Sequence, residues 1–132
     1  MAKKAKILVI DDEKVMCMGC QKTLEQDGME VECAENGIIG LAKLQEEKYD
    51  LVLVDLMMPQ LKGTQVLESI RKYDPNMMII IITGYVTNEM NAVVLEKGAF
   101  DYLAKPFTAE ELRKVVFRAL QARRNASQKL SV

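Results

Sequence analysis

Short runs of consecutive apolar residues alternate along this chain with longer stretches whose apolar positions recur every three or four residues. Ile7-Leu8-Val9-Ile10 is a continuous run bounded by acids, and it reads as a strand buried on both faces. From Glu13 to Gln26 the period becomes helical, with Met16, Cys20 and Leu24 on one face. Asp27-Gly28 stops that helix. Met29 to Ala34 is a weaker strand, and the alternation of Val31 and Cys33 places it at a sheet edge. Asn36-Gly37 turns the chain into a helix over Ile38 to Lys48, packed through Leu41 and Leu44. Leu51-Val52-Leu53-Val54 is the third strand, and Thr64 to Tyr73 is a helix stopped by Asp74-Pro75. Met77 to Ile82 is the most apolar run and is expected at the centre of a sheet. A fourth helix is expected over Asn88 to Lys97, with Gly98 as its cap, and a fifth strand over Phe100 to Leu103. Thr108 opens the last helix, with Glu111 three residues on in a capping-box pattern. Its buried stripe is Leu112, Val115, Val116, Ala119 and Leu120.

Five strand–helix units in strict alternation demand a parallel sheet with helices on both faces and right-handed crossovers. The chain has 132 residues, enough for one domain with a real core and too few for two ordinary ones. Residues 1–122 carry the domain, and residues 123–132 turn basic and polar, reading as a frayed tail or the start of a linker. With 49% apolar and 28% charged residues the composition is that of a soluble globular protein. A net charge of -1 disfavours nucleic acid as a direct partner. No apolar run approaches the roughly 20 residues of a membrane span. Three cysteines fit a reduced cytoplasmic thiol set better than a disulfide frame. The absence of histidine excludes a histidine triad, a histidine metal site and a phosphohistidine on this chain.

In such sheets ligands bind beyond the C-terminal ends of the strands. The residues found there are Asp11-Asp12 after the first strand, Asp55 after the third, Thr83 after the fourth and Lys105 after the fifth. Asp55 is expected to stand at its strand's mouth rather than to be buried with the apolar run. Taken singly, each has an ordinary structural explanation: a solvated turn, a helix N-terminus, a strand-end hydroxyl, a surface lysine. Their joint occurrence at successive strand ends points to chemistry instead. Three crowded carboxylates repel one another, and a hard divalent cation such as Mg2+ relieves the repulsion. Lys105 can pair with a phosphoryl oxygen as a point charge, Thr83 can donate a hydrogen bond to another, and an Asp carboxylate is a competent nucleophile for an acyl phosphate.

Ile10-Asp11-Asp12-Glu13, Asp55-Leu56-Met57-Met58-Pro59 with Gly63, Thr83-Gly84, and Tyr102 with Lys105-Pro106-Phe107 are specific in combination. With them the chain resembles, over roughly Lys6 to Ala122, the receiver domains of two-component response regulators, including the chemotaxis regulators. The resemblance implies a flavodoxin-like doubly wound sheet of order 2-1-3-4-5. It implies Asp55 as phosphoacceptor, with Asp12 and Asp55 ligating Mg2+ directly, Asp11 mainly through water and Met57 through its backbone carbonyl. Lys105 and Thr83 would bind the phosphoryl group, the Lys105–Pro106 peptide would be cis, and Thr83 and Tyr102 would form the switch. The fourth helix, fifth strand and fifth helix would be the output face and admit a homodimer. A sensor histidine kinase or phosphotransfer protein would be the donor, and an output domain or partner protein the receiver of the signal. Such a module is a phosphoacceptor, catalysing only its own phosphorylation and slow autodephosphorylation.

Two other classes fit less well. A Mg2+-dependent phosphatase with an Asp nucleophile would carry a second acid where Met57 stands. A flavodoxin-like cofactor binder would need a phosphate-cradling loop after the first strand, where Asp11-Asp12 would repel the phosphate. Cys17 and Cys20 form a Cys-x-x-Cys, but Cys20 lies on the core stripe, so it reads as packed and Cys17 as incidental. The apolar character at Ile38-Ile39 and at Met90 and Val93 is read first as core packing for some of them, with a partner or dimer surface at Met90 and Val93, beside the output face, as the weaker alternative. Met57 and Tyr85 lie two residues after Asp55 and Thr83, positions that flank the path of hydrolytic water in this family, and their bulk predicts a long-lived phosphoryl group.

Overall fold

The five apolar runs are five parallel strands of one sheet. The computed structural model describes residues 4–58, 62–84, 92 and 95–130, with side chains to residue 126. The strands are β1 (Lys6–Ile10), β2 (Glu30–Ala34), β3 (Leu51–Asp55), β4 (Met78–Thr83) and β5 (Asp101–Ala104), in the order β2-β1-β3-β4-β5. The helices described in full are α1 (Lys14–Gln26), α2 (Gly37–Glu46), α3 (Gly63–Tyr73) and α4 (Ala109–Leu130). Most of the helix expected over 88–97 lies outside the described residues, as do Met90 and Val93. β2 takes the edge its alternating pattern predicted. β4 is an interior strand, but the middle of the sheet is β3, whose five residues are all buried.

Side chains alternate between the two faces of the sheet with period two. Leu8, Ile10, Val52, Val54, Ile79 and Ile81 pack with Leu44, Val66, Leu67 and Ile70 of α2 and α3. Ile7, Val9, Leu51, Leu53, Ile80, Ile82 and Leu103 pack on the other face with Cys20 and Leu24 of α1 and Leu112, Val115, Val116 and Ala119 of α4. The near-continuous apolar runs are thus the requirement of a sheet covered on both sides.

The local signals act as the sequence implies. Asn36 accepts from Ile39 N at 2.8 Å to cap α2. Thr108 and Glu111 complete the capping box of α4, with Glu111 N donating to Thr108 Oγ1 at 3.1 Å. Gly28, at φ 83°, ends α1 in a left-handed cap, with Met29 N donating to Leu24 O at 3.1 Å and Gly28 N to Glu25 O at 3.0 Å. At the C-terminus α4 continues through residue 122 to Leu130, so the stretch read as a tail or the start of a linker is helical to that point. Ion pairs of Arg118 with Asp101 and of Arg123 with Asp50 tie it to the rest of the chain. Among the described residues, no helix is long and apolar enough to cross a membrane.

Candidate functional site

Strand register brings the predicted residues together. Ile10 pairs with Val54, so Asp11 and Asp55 follow on neighbouring strands. Asp55 pairs with Ile82, and Thr83 with Ala104, which sets Lys105 just beyond. Three backbone hydrogen bonds carry the ladders one step further: Asp11 N to Ala34 O at 3.0 Å, Leu56 N to Ile82 O at 2.9 Å and Lys105 N to Thr83 O at 2.7 Å. Alternation decides the faces. Asp11, Asp55 and Lys105 continue the rows of Val9, Leu53 and Leu103, on the α1–α4 side. Thr83 and Tyr102 fall in the rows facing the other way, and Tyr102 packs against that second core.

The two buried acids are held by the same local device. Asp11 Oδ1 accepts from Glu13 N at 2.9 Å, and Asp55 Oδ1 from Met57 N at 3.2 Å, each two residues downstream. The second oxygens turn toward one ammonium. Lys105 Nζ lies 2.9 Å from Asp11 Oδ2, 3.3 Å from Asp55 Oδ2 and 2.9 Å from Glu13 Oε1. The Asp11 Oδ2 contact is ionic without directed hydrogen-bond geometry, so this buried oxygen retains unused acceptor capacity.

Asp55 is the last residue of β3 and is only 4% exposed, so the expectation that it would stand clear of the buried run is wrong. Asp11 and Thr83 are buried as well. Burial is tolerable for the two acids because each has an N–H donor on one oxygen and a cation by the other. The balance is incomplete at Asp55. Burial is the largest influence and raises its pKa above the usual carboxylate value, helped by the Asp11 charge and opposed by the Met57 N–H and Lys105. Burial works against the Lys105 ammonium too, yet Glu13, Asp11 and Asp55 outweigh it and hold its pKa above the usual lysine value.

Asp11, Asp12, Glu13 and Asp55 each offer a carboxylate oxygen within 4.8 Å of the others. All donors are hard oxygens, two residues are buried and two exposed, and one buried oxygen has spare capacity. That set fits a hard divalent cation open to solvent on one side. Glu13 is the member that the sequence reading did not assign, although its place beside Asp12 was a signal. Gly63 is a second. A Cβ built on it would meet Asp55 O and Leu56 Cα, both at 2.5 Å, so only glycine lets α3 start against the site's backbone. The Lys105–Pro106 peptide is cis, as expected. Met57 is anchored by its N–H while its side chain is exposed. Tyr85 and Pro59 lie outside the described residues.

Cys20 is packed as expected, and burial pushes its thiol up to about 12. Cys17 is buried too. Its thiol donates to Asp11 O at 3.6 Å, and it lines one cleft together with Cys33 of β2.

A doubly wound sheet of this order, with an acid cluster and a lysine at its C-terminal edge, defines the receiver class of signalling domain. The family model for the response regulator receiver domain matches residues 7–117, and the chain belongs to that family. The regulatory protein AtoC of Escherichia coli is 35% identical over 116 residues, covering 88% of this chain and 25% of that protein. The transcription factor SKN7 of Saccharomyces cerevisiae is 34% identical over 117 residues, covering 89% of this chain and 19% of that protein. The chain thus spans about a quarter or less of these two relatives. A CheY-like receiver domain protein of Methanospirillum hungatei superposes with a TM-score of 0.90 at 32% identity, covering 94% of this chain and 99% of that one. Chemotaxis protein CheY4 of Vibrio cholerae gives 0.86 at 31% identity, covering 89% and 100%. Receiver domains are phosphoacceptor modules of two-component signalling, and this chain is one of them by family.

Proposed function

We propose that this chain receives a phosphoryl group on Asp55 from the phosphohistidine of a sensor kinase or phosphotransfer protein. The observation that carries the reading is the single ammonium of Lys105, held between Asp55 and Asp11 at the sheet's C-terminal edge. Asp55 Oδ attacks phosphorus, the P–N bond to the donor imidazole breaks, and the released imidazole nitrogen takes up a proton. The charge accumulating on the transferred oxygens meets Lys105 and the Thr83 hydroxyl. Asp11, Asp12, Asp55 and the Met57 carbonyl are the groups that would hold Mg2+, with Glu13 in the same cluster. When bound, the cation offsets the repulsion among the acids and shields the incoming phosphoryl group from them. No residue of this chain performs turnover on a separate substrate.

The readout follows from which face each residue occupies. The phosphoryl group adds close to two negative charges and three acceptor oxygens on the α1–α4 side. Thr83, adjacent but directed to the other face, is the residue able to sense both sides. Its movement toward the phosphoryl oxygens frees space for Tyr102, two residues back on the neighbouring strand and on the same face, to turn inward. The segment 88–97, β5 and α4 would then change as one face, controlling an output domain or partner protein and admitting a homodimer. We assign the receiver unit to residues 1–122 and the basic stretch 123–132 to a tail or the start of a linker. The three free thiols fit a reducing, cytoplasmic setting.

Incubation with Mg2+ and acetyl phosphate tests the assignment. The expected product is one acid-stable, base-labile phosphoryl group, located on Asp55 by peptide mapping and absent from Asp55→Asn. An adduct surviving that substitution, or no adduct at all, would overturn the reading.

A further inference from the structure

Phe117 stands apart from the packing of α4. The helix turns Leu112, Val115, Val116 and Ala119 into the core, while Phe117 is 58% exposed. Arg113, Phe117, Leu120 and Arg124 follow one another at spacings of four, three and four residues, so they share one stripe of the helix. That stripe lines a solvent-open cleft of about 680 Å3. The rest of the lining includes Gly28 and Met29, at the turn from α1 into β2, and Lys4 and Ala5, just before β1. The cleft therefore sits at the N-terminal ends of the parallel strands, the end of the sheet away from Asp11, Asp55 and Lys105. Nothing lies within 4 Å of a notional Cβ on Gly28, so the turn does not fill it.

The charge around this cleft is one-sided. Lys4, Arg113, Lys114 and Arg124 line it against a single acid, Asp27, an excess of three positive charges on a chain whose net charge is -1. Arg113 is committed to Asp27 at 3.0 Å, and Lys114 contacts Glu110 at 3.5 Å. Lys4 and Arg124 are exposed, and among the described residues neither enters an ion pair. Beside these cations lies an apolar floor, in which Met29 and Leu120 are partly buried against the core.

We propose that this cleft binds a small anionic amphiphile free in solution, a carboxylate carried on an alkyl chain. The carboxylate meets Lys4 and Arg124, and the alkyl body lies over Met29, Phe117 and Leu120. Charge complementarity selects the sign of the head, and the floor selects an apolar body. The volume falls within the range of roughly 300–1,000 Å3 usual for small-molecule sites. A bilayer would instead engage a broad apolar face projecting outward. Nothing in this inference rests on the role given to Asp55.

Sodium decanoate titrated into the isotope-labelled full chain below its micelle concentration, and followed by amide NMR, tests this. The expected result is saturable shifts centred on Gly28, Met29, Phe117 and Leu120. Decyltrimethylammonium, with the same tail and the opposite head, and acetate, with the head alone, should each shift these amides far less. Lys4→Glu and Arg124→Glu reverse exposed charges outside the core, and each should weaken decanoate binding about fivefold. Absence of saturable shifts, shifts centred elsewhere, equal binding of either control, or unchanged affinity in both variants would overturn the proposal. So would binding confined to phosphatidylglycerol vesicles with free decanoate inert, or a dimer of the free chain whose contacts cover the cleft.

Discussion

Lys105 reaches from the end of β5 to within 3.3 Å of the Asp55 carboxylate, and the same Nζ stands 2.9 Å from Asp11. One ammonium therefore balances two acids that are almost out of water. Removing one partner of a fully buried pair costs about 3–5 kcal/mol. The cost in Lys105→Met should be somewhat lower, ~2–4 kcal/mol, because Asp55 can relax by taking up a proton. We expect that loss in urea unfolding at pH 7 with chelator present. Millimolar Mg2+ should recover more of it in the variant than it adds to the wild type, because a bound cation replaces the missing charge. A variant as stable as wild type without Mg2+ would show that the ammonium does not balance the acids.

Gly63 and Gly19 make a paired test of backbone approach. A Cβ on Gly63 runs into the Asp55–Leu56 backbone, which has no flexible end to move aside. Gly63→Ala should cost ~1–3 kcal/mol and lower the rate at which acetyl phosphate labels Asp55. Gly19 lies inside α1 with nothing within 4 Å of its notional Cβ. Gly19→Ala should stabilise by ~0.5–1 kcal/mol and leave labelling unchanged. Equal effects from the two substitutions would remove the role given to Gly63.

The strands, the edge position of β2 and the cap of α4 were legible because each rests on residues close in sequence. The convergence of Asp11, Asp55 and Lys105 was legible for a different reason: strict strand–helix alternation leaves one topology, and that topology puts strand ends on one rim. What escaped depends on partners remote in sequence. The burial of Asp55 follows from the register of β3 with β1 and β4, and is tolerated through an ammonium fifty residues away, neither of which a local pattern shows. The burial of Cys17, read as incidental from its spacing, likewise depends on packing against elements remote in sequence. The persistence of α4 past residue 122 similarly rests on the Arg123–Asp50 ion pair, invisible in a stretch that reads only as basic and polar.

The raised pKa of Asp55 carries a stability consequence with a definite sign. In the metal-free protein the folded state holds this proton more tightly than the unfolded chain does. Below the unfolded value near 3.9 both states are protonated and the carboxyl adds no penalty. As pH rises from there through the raised folded value, the buried charge appears and stability falls. Asp55→Asn lacks that titration. With chelator present, the variant should gain stability relative to wild type as pH rises through that window, and the difference should level off above it. Urea unfolding of both proteins across this range is the measurement, and a pH-independent difference would contradict the burial argument.

Met57 is fixed by the hydrogen bond from its N–H to Asp55 Oδ1, which roots a thioether two residues from the modified carboxylate. Its side chain is 54% exposed, so it stands on the solvent side, from which a hydrolytic water must come. A thioether neither donates a proton nor orients a water strongly, and its bulk is expected to hinder the approach. The aspartyl phosphate of this chain should accordingly persist for minutes or longer with Mg2+ present. Met57→Asn supplies a carboxamide able to hold water, and a hydrolysis rate about tenfold higher corresponds to ~1.4 kcal/mol off the barrier. Decay of the phosphoryl group after removal of acetyl phosphate measures both. A wild-type half-life of seconds, or identical decay in the two proteins, would show that Met57 does not obstruct the water.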